Sequence, residues 1–195
     1  TKPGCLCLDS AGMTLEEVLD AMDAAEAEGR TTVRLHTGEP SLYGAIREQM
    51  DALAEKGIAY AVVPGVSSFA AAAAALGAEY TLPGVSQSLI ITRMAGRTPV
   101  PEKEEISLLA AHGASMAIFL SAGMLERLQE RLLAGAYTPG TPAAIVYKAS
   151  WPDQKTCRCT VGTLAETGRQ NAVEKTALIL VGDFLDSPYE RSKLY

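Results

Sequence analysis

The 195-residue chain is poor in the residues and runs that mark several large classes of protein. It has two histidines, one tryptophan and no excess of positive charge: Lys+Arg 17 against Asp+Glu 23 gives a net charge of -6. Without a global positive field, non-specific nucleic-acid binding is disfavoured. The longest apolar run, Phe69 to Leu76, is far short of the about 20 residues that cross a bilayer. No cationic segment followed by an apolar one opens the sequence, so no signal peptide and no membrane association are expected. There is no HExxH, no Walker loop, no GxGxxG and no Ser-His-Asp arrangement, which argues against zinc hydrolases, P-loop enzymes and dinucleotide enzymes of the usual pattern. The four cysteines form two pairs, Cys5/Cys7 and Cys157/Cys159, each with one-residue spacing, whereas zinc ligands are usually two to four residues apart. His36 and His112 are distant in sequence from both pairs. The cysteines are therefore expected to be small buried hydrophobes in a reducing cytoplasm, with no metal site.

What is present is an ordinary globular composition, 48% hydrophobic and 21% charged, in a chain long enough to bury roughly 70% of its unfolded surface. Gly4 to Leu8 reads as a strand. Thr14 and Glu17 form a capping box, and Leu15, Val18, Leu19 and Met22 give the helix that follows one apolar face. Thr32 to His36 and Ala59 to Val63 read as further strands, with a helix carrying Ile46, Met50 and Leu53 between them. An alanine-rich helix capped by Ser67 or Ser68 runs to Leu76. This strand–helix alternation predicts a parallel sheet. Thr81 to Gln87 reads as a linker. Beyond it the pattern predicts strands at Ser88–Thr92, Met116–Leu120, Ala143–Lys148, Thr156–Val161 and Ala177–Val181. Helices are expected at Glu102–Ala111, around Leu125, Leu128 and Leu132, and near Leu164. The third and fourth of these strands should pair antiparallel. The expected architecture is α/β with two lobes, residues 1–84 with a parallel sheet and residues 85–195 with a mixed sheet, and a ligand cleft between them.

Four loops carry candidate chemistry. Thr37 to Gly44 holds Gly38, where a ligand can approach the backbone, and Glu39, either a carboxylate in the cleft or an acid favoured at the start of the next helix. In Pro64 to Ser68 the hydroxyls and amides suit polar ligand groups and equally suit an N-cap. Arg93 to Glu102 offers Arg93 and Arg97 to carboxylates, or is a solvated connector. Tyr147 to Pro152 places the lone Trp151 at a strand end, as a cleft wall or as packing.

Together these stretches resemble one family. DSAGMTLEE (Asp9 to Glu17), VRLHTGEPSLYGAIREQM (Val33 to Met50), VVPGVSSFAAAAAALGAEYTLP (Val62 to Pro83), ITRMAGRTPVPEKE (Ile91 to Glu104), IFLSAGM (Ile118 to Met124), VYKASWPD (Val146 to Asp153) and TALILVG (Thr176 to Gly182) are similar to the tetrapyrrole (corrin/porphyrin) methyltransferases. The SAGM and GRTPVPE stretches favour the branch acting at C-11 of (cobalt-)precorrin-4 in cobalamin biosynthesis. The resemblance implies a two-domain homodimer in the cytoplasm that binds S-adenosylmethionine and releases S-adenosylhomocysteine. It implies that Thr37, Gly38, Glu39, Leu42, Tyr43, Ser67, Ser68, Ser121, Ala149, Thr176 and Ala177 surround the cofactor. Relatives often have Asp in place of Glu39. Met13, Arg93, Arg97 and Lys148 would meet the tetrapyrrole, and no metal or single catalytic residue is implied. The family's opening strand and glycine-proline loop, commonly GAGPGD, lie outside this sequence. Their loss is expected to leave a sheet edge and part of the cofactor site open. Other outcomes of the same resemblance are methylation at another ring position and a non-catalytic dimerising fragment.

Overall fold

A computed structural model describes Thr1 and residues 3–193 in two units, Thr1–Ser67 and Ser68–Tyr195. The division falls at Ser67/Ser68 and not after Gly84, because the 80–87 segment is fastened to the second unit. Ser115 donates its hydroxyl to Tyr80 O at 2.7 Å, and its N–H donates to Ser86 Oγ at 3.1 Å. No helix among the described residues is long and apolar enough to cross a membrane.

In the first unit, the capping box forms as the sequence predicts. Glu17 N–H donates to Thr14 Oγ1, and Thr14 N–H donates to Glu17 Oε2 at 2.8 Å, which starts α1 (Leu15–Ala27). Helix α2 (Ile46–Glu55) follows, with an Arg47–Asp51 pair one turn apart. The three predicted strands of this unit do not form: Gly4–Leu8, Thr32–His36 and Ala59–Val63 belong to no ladder among the described residues. The 30–36 and 58–63 runs instead line a cavity of about 810 Å³, shared with Ile46, Met50 and Leu53 of α2, and belong to no ladder among the described residues. Val33, Leu35, Val62 and Val63 are consequently exposed, although their composition suits a buried sheet. Cys5 and Cys7 lie on a segment that belongs to no ladder among the described residues and are exposed, which corrects the expectation that they are buried, and all four cysteines are free thiols.

The second unit is built on a five-stranded mixed sheet in the order β1-β2-β5-β3-β4. The strands are β1 (Leu89–Arg93), β2 (Ser115–Phe119), β3 (Pro142–Tyr147), β4 (Lys155–Thr160) and β5 (Ala177–Val181). Strands β1 and β2 are parallel, and the other neighbours are antiparallel, including the β3–β4 hairpin. Alternate residues face opposite layers, as a two-residue period requires. Met116, Ile118, Ile145, Ile179 and Val181 pack with α4 (Ile106–Ala110), α5 (Leu125–Leu133) and α6 (Leu164–Gln170). Ala117, Ala144, Val146, Leu178 and Leu180 pack with α3 (Ser68–Leu76), Tyr80 and Phe184. The helix expected over Glu102–Ala111 is broken. A short 3-10 turn, Glu102–Glu104, precedes α4, and Glu105 between them is extended, its carboxylate capping Ser107 N–H at 2.7 Å.

Candidate functional site

The predicted site residues fall into two clusters, one in each unit. In the first unit, the loop after His36 and the loop after Val63 are fastened by one carboxylate. Glu39 Oε1 accepts from Ser41 N–H at 3.0 Å, and Oε2 accepts from Gly65 N–H at 2.8 Å. These backbone donors hold the Glu39 carboxyl below its ordinary range, because they favour the charged form. Glu39 therefore clasps two loops as well as carrying charge. Gly65 permits the approach: a Cβ there would lie 2.1 Å from Gly38 O. Tyr43 and Ala45 adopt left-handed backbone, with φ of 58° and 49°. Thr37 and Gly38 are exposed beside the clasp, Leu42 is half-buried in the turn that its N–H closes onto Glu39 O, and Tyr43 is exposed. Met13 ends a 3-10 turn, Ser10–Gly12, and is half-buried. Ser67 is buried and Ser68 is the first residue of α3. His36 has its pKa lowered by burial and by Arg34, so it is neutral at pH 7.

In the second unit the sheet topology does the gathering. Parallel β1 and β2 and antiparallel β5 place the ends of β1, β2 and β3 and the start of β5 on one edge. Lys148 N–H donates to Thr176 O at 2.9 Å along that edge. Arg93, Leu120, Ser121, Lys148, Ala149, Thr176 and Ala177 are therefore neighbours on one rim, as are the loops that follow. Four non-glycine residues there have positive φ: Leu120 (52°), Lys148 (46°), Ser150 (72°) and Thr176 (57°). Such backbone costs of order 1–3 kcal/mol per residue and clusters where a ligand is held. It turns peptide groups out of the ladder, and together with the small side chain of Ala149 it fits a ligand read by main-chain donors and acceptors. Nothing in the sequence announces it, since none of the four is glycine and leucine is an unusual left-handed residue.

Side chains at this rim are partly committed. Ser121 is fully buried: it donates to Phe119 O at 2.7 Å and accepts from Met94 N–H at 3.0 Å, so its hydroxyl ties β1 to β2. Lys148 donates to Asp153 Oδ2 at 2.6 Å and lies 5.0 Å and 5.2 Å from the ring centres of Tyr147 and Trp151. The bond to Asp153 raises the Lys148 pKa. Trp151 is exposed, so packing does not account for it. Tyr147 and Asp153 join Trp151, the expected cleft wall or packing residue, around Lys148. The only sequence signal for Tyr147 and Asp153 is the loop they share with Lys148.

Residues 7–165 match the Tetrapyrrole (Corrin/Porphyrin) Methylases, and the chain belongs to that family. The cobalt-precorrin-4 C(11)-methyltransferase of Methanocaldococcus jannaschii is 50% identical over 188 residues, 96% of this chain and 73% of that protein. The precorrin-4 C(11)-methyltransferase of Mycobacterium tuberculosis is 44% identical over 94% of this chain and 73% of its own length. The X-ray structure of a cobalt precorrin-4 methyltransferase superposes with a TM-score of 0.93 at 45% identity, covering 96% of this chain and 78% of that one. A uroporphyrin-III-C-methyltransferase from Thermus thermophilus gives 0.73 at 28% identity over 88% of this chain and 73% of that one.

Proposed function

We propose that this chain is an S-adenosylmethionine-dependent methyltransferase that acts at C-11 of (cobalt-)precorrin-4. The observation that carries the reading is 44–50% identity, across nearly the whole chain, to proteins of that activity. S-adenosylmethionine held by the site residues would supply an activated methyl group for the ring carbon, with S-adenosylhomocysteine as the other product. The protein's part is positioning, a contribution that reaches about 7–11 kcal/mol when reacting atoms are well oriented.

In the first unit, Thr37, Gly38 and Glu39 line the cofactor with Leu42 and Tyr43, and Ser67 adds a polar group, as does Ser68 at the start of the second unit. In the second, the backbone of Ser121, Ala149, Thr176 and Ala177 frames the adenosine. The support for this assignment is the exposed, strained main chain at the rim and the approach of Gly65 to Gly38. Lys148 and Arg97 answer the carboxylates of the substrate, Met13 lies against its apolar surface, and Arg93 belongs to the same loop as Arg97. The reading includes a homodimer in the cytoplasm, which sedimentation and fractionation test.

The deciding experiment has two arms. Calorimetric titration with S-adenosylhomocysteine should show saturable binding. Incubation with methyl-labelled S-adenosylmethionine and precorrin-4, with and without cobalt, should place the label on C-11. Label on a different ring carbon assigns another ring position, and absence of both binding and transfer rejects the methyltransferase.

A further inference from the structure

Arg93 and Arg97 stand four residues apart on one loop, and the structure gives them different work. Arg93 is the last residue of β1, and its guanidinium turns onto the loop that follows. Nη1 donates to Met94 O at 3.2 Å and to Thr98 O at 3.0 Å, and Nη2 donates to Pro99 O at 2.8 Å. Inside this ring of carbonyls, Gly96 N–H donates to Thr98 O at 3.3 Å. The root of the loop is held independently, since Met94 is buried and its N–H donates to Ser121 Oγ. Residues 96–99 are exposed. Arg97 stands among them and makes no hydrogen bond or ion pair with the described residues, and no carboxylate pairs with either arginine.

A planar fork with several fixed donors holds several carbonyls in one geometry at less entropic cost than an ammonium on a flexible stem. The bridge restricts a loop that would otherwise lose conformational freedom on meeting a ligand. Its acceptors are neutral, so both guanidinium charges stay uncompensated at the rim that also carries Lys148. Lys148, by contrast, is matched by Asp153.

We propose that Arg93 is a positioning residue for substrate binding: it clamps residues 94–99 so that Arg97 is held ready to pair with a carboxylate of the tetrapyrrole. The proposal rests on the methyltransferase reading and changes the role of Arg93 within it, from substrate ligand to support of the ligand. The test is a double-mutant cycle on Arg93→Lys, Arg97→Ala and the double variant, with steady-state kinetics on precorrin-4 and calorimetry with S-adenosylhomocysteine. Arg97→Ala should raise KM for the tetrapyrrole about tenfold, the usual scale for a lost charge-assisted pair. Arg93→Lys should raise KM several-fold while kcat and S-adenosylhomocysteine affinity stay unchanged, and the double variant should be no worse than Arg97→Ala alone. Additive effects would mean that Arg93 meets the substrate itself and would overturn the proposal, as would an unchanged KM in Arg93→Lys. A loss of S-adenosylhomocysteine binding in Arg93→Lys would mark a general folding defect and overturn it too. A second readout needs no activity: trypsin should cut after Arg97 faster in Arg93→Lys than in the parent chain, and equal rates would reject the clamp. If the parent chain transfers no methyl group, the methyltransferase reading fails, while the trypsin result still decides whether Arg93 holds the loop.

Discussion

Single side chains at the two clusters fasten loops, and their loss should be measurable. Ser121→Ala leaves Met94 N–H without its acceptor in a buried place, and an orphaned buried donor costs about 1–3 kcal/mol. Urea denaturation should show that loss as a lower midpoint with an unchanged slope. Glu39 behaves differently because its tie depends on an ionised carboxylate that accepts from backbone N–H groups. Its folded pKa lies below the ordinary 4.5, so the clasp is fully present above that value and is lost as pH falls through the depressed one. The amide resonance of Gly65 should accordingly move only in acid, below the ordinary carboxylate range, and Glu39→Gln should abolish the titration. Burial pushes the Cys159 thiol up to about 11, while Cys5 and Cys7 are exposed. Iodoacetamide at pH 8 should therefore alkylate Cys5 and Cys7 well before Cys159, since the thiolate is the reactive form.

Helices and strands show how far patterning reaches. The capping box of α1, the apolar stripe of α5 and the β3–β4 hairpin were legible because each depends on residues near one another in sequence. Leu128 is fully buried on that stripe, so Leu128→Ala should cost about 2–5 kcal/mol. A Cβ at Gly168 of α6 would lie 2.1 Å from Leu125 Cδ1, so the buried Leu125 side chain must move to admit a methyl group. Gly168→Ala should destabilise by about 1–3 kcal/mol through overpacking, and thermal melting checks both variants. What patterning missed depends on distant partners. The apolar runs at 32–36 and 59–63 have strand composition, but composition does not supply a neighbour to bond with. The Glu39–Gly65 clasp joins loops 26 residues apart, and the left-handed rim residues carry no glycine to announce them. The break at Glu105 was hidden for a related reason: glutamate suits a helix interior and also serves as a cap.

Across the whole molecule, order should be uneven. In the second unit both faces of the central strands are covered, with Met116, Ile145, Ile179 and Leu180 at 0% exposure. In the first unit Met22 is the one buried hydrophobic residue among those described. Hydrogen exchange should reflect this, with slow amides in β2, β3 and β5 and fast ones at 32–36 and 59–63. Comparable protection in both places would contradict the packing described.

The position of β5 has a consequence for how the second unit folds. The last strand in sequence lies in the middle of the sheet, between β2 and β3. Until residues 177–181 arrive, the sheet exists only as a β1–β2 pair and a β3–β4 hairpin that share no ladder. Joining them closes a long loop between β2 and β5, and such non-local pairing is slow. Pulse-labelled refolding should then find the hairpin amides protected first and β2 and β5 protected together in one later step. During synthesis the sheet cannot be completed until the ribosome has added Val181, so its rim of binding loops comes together only at the end.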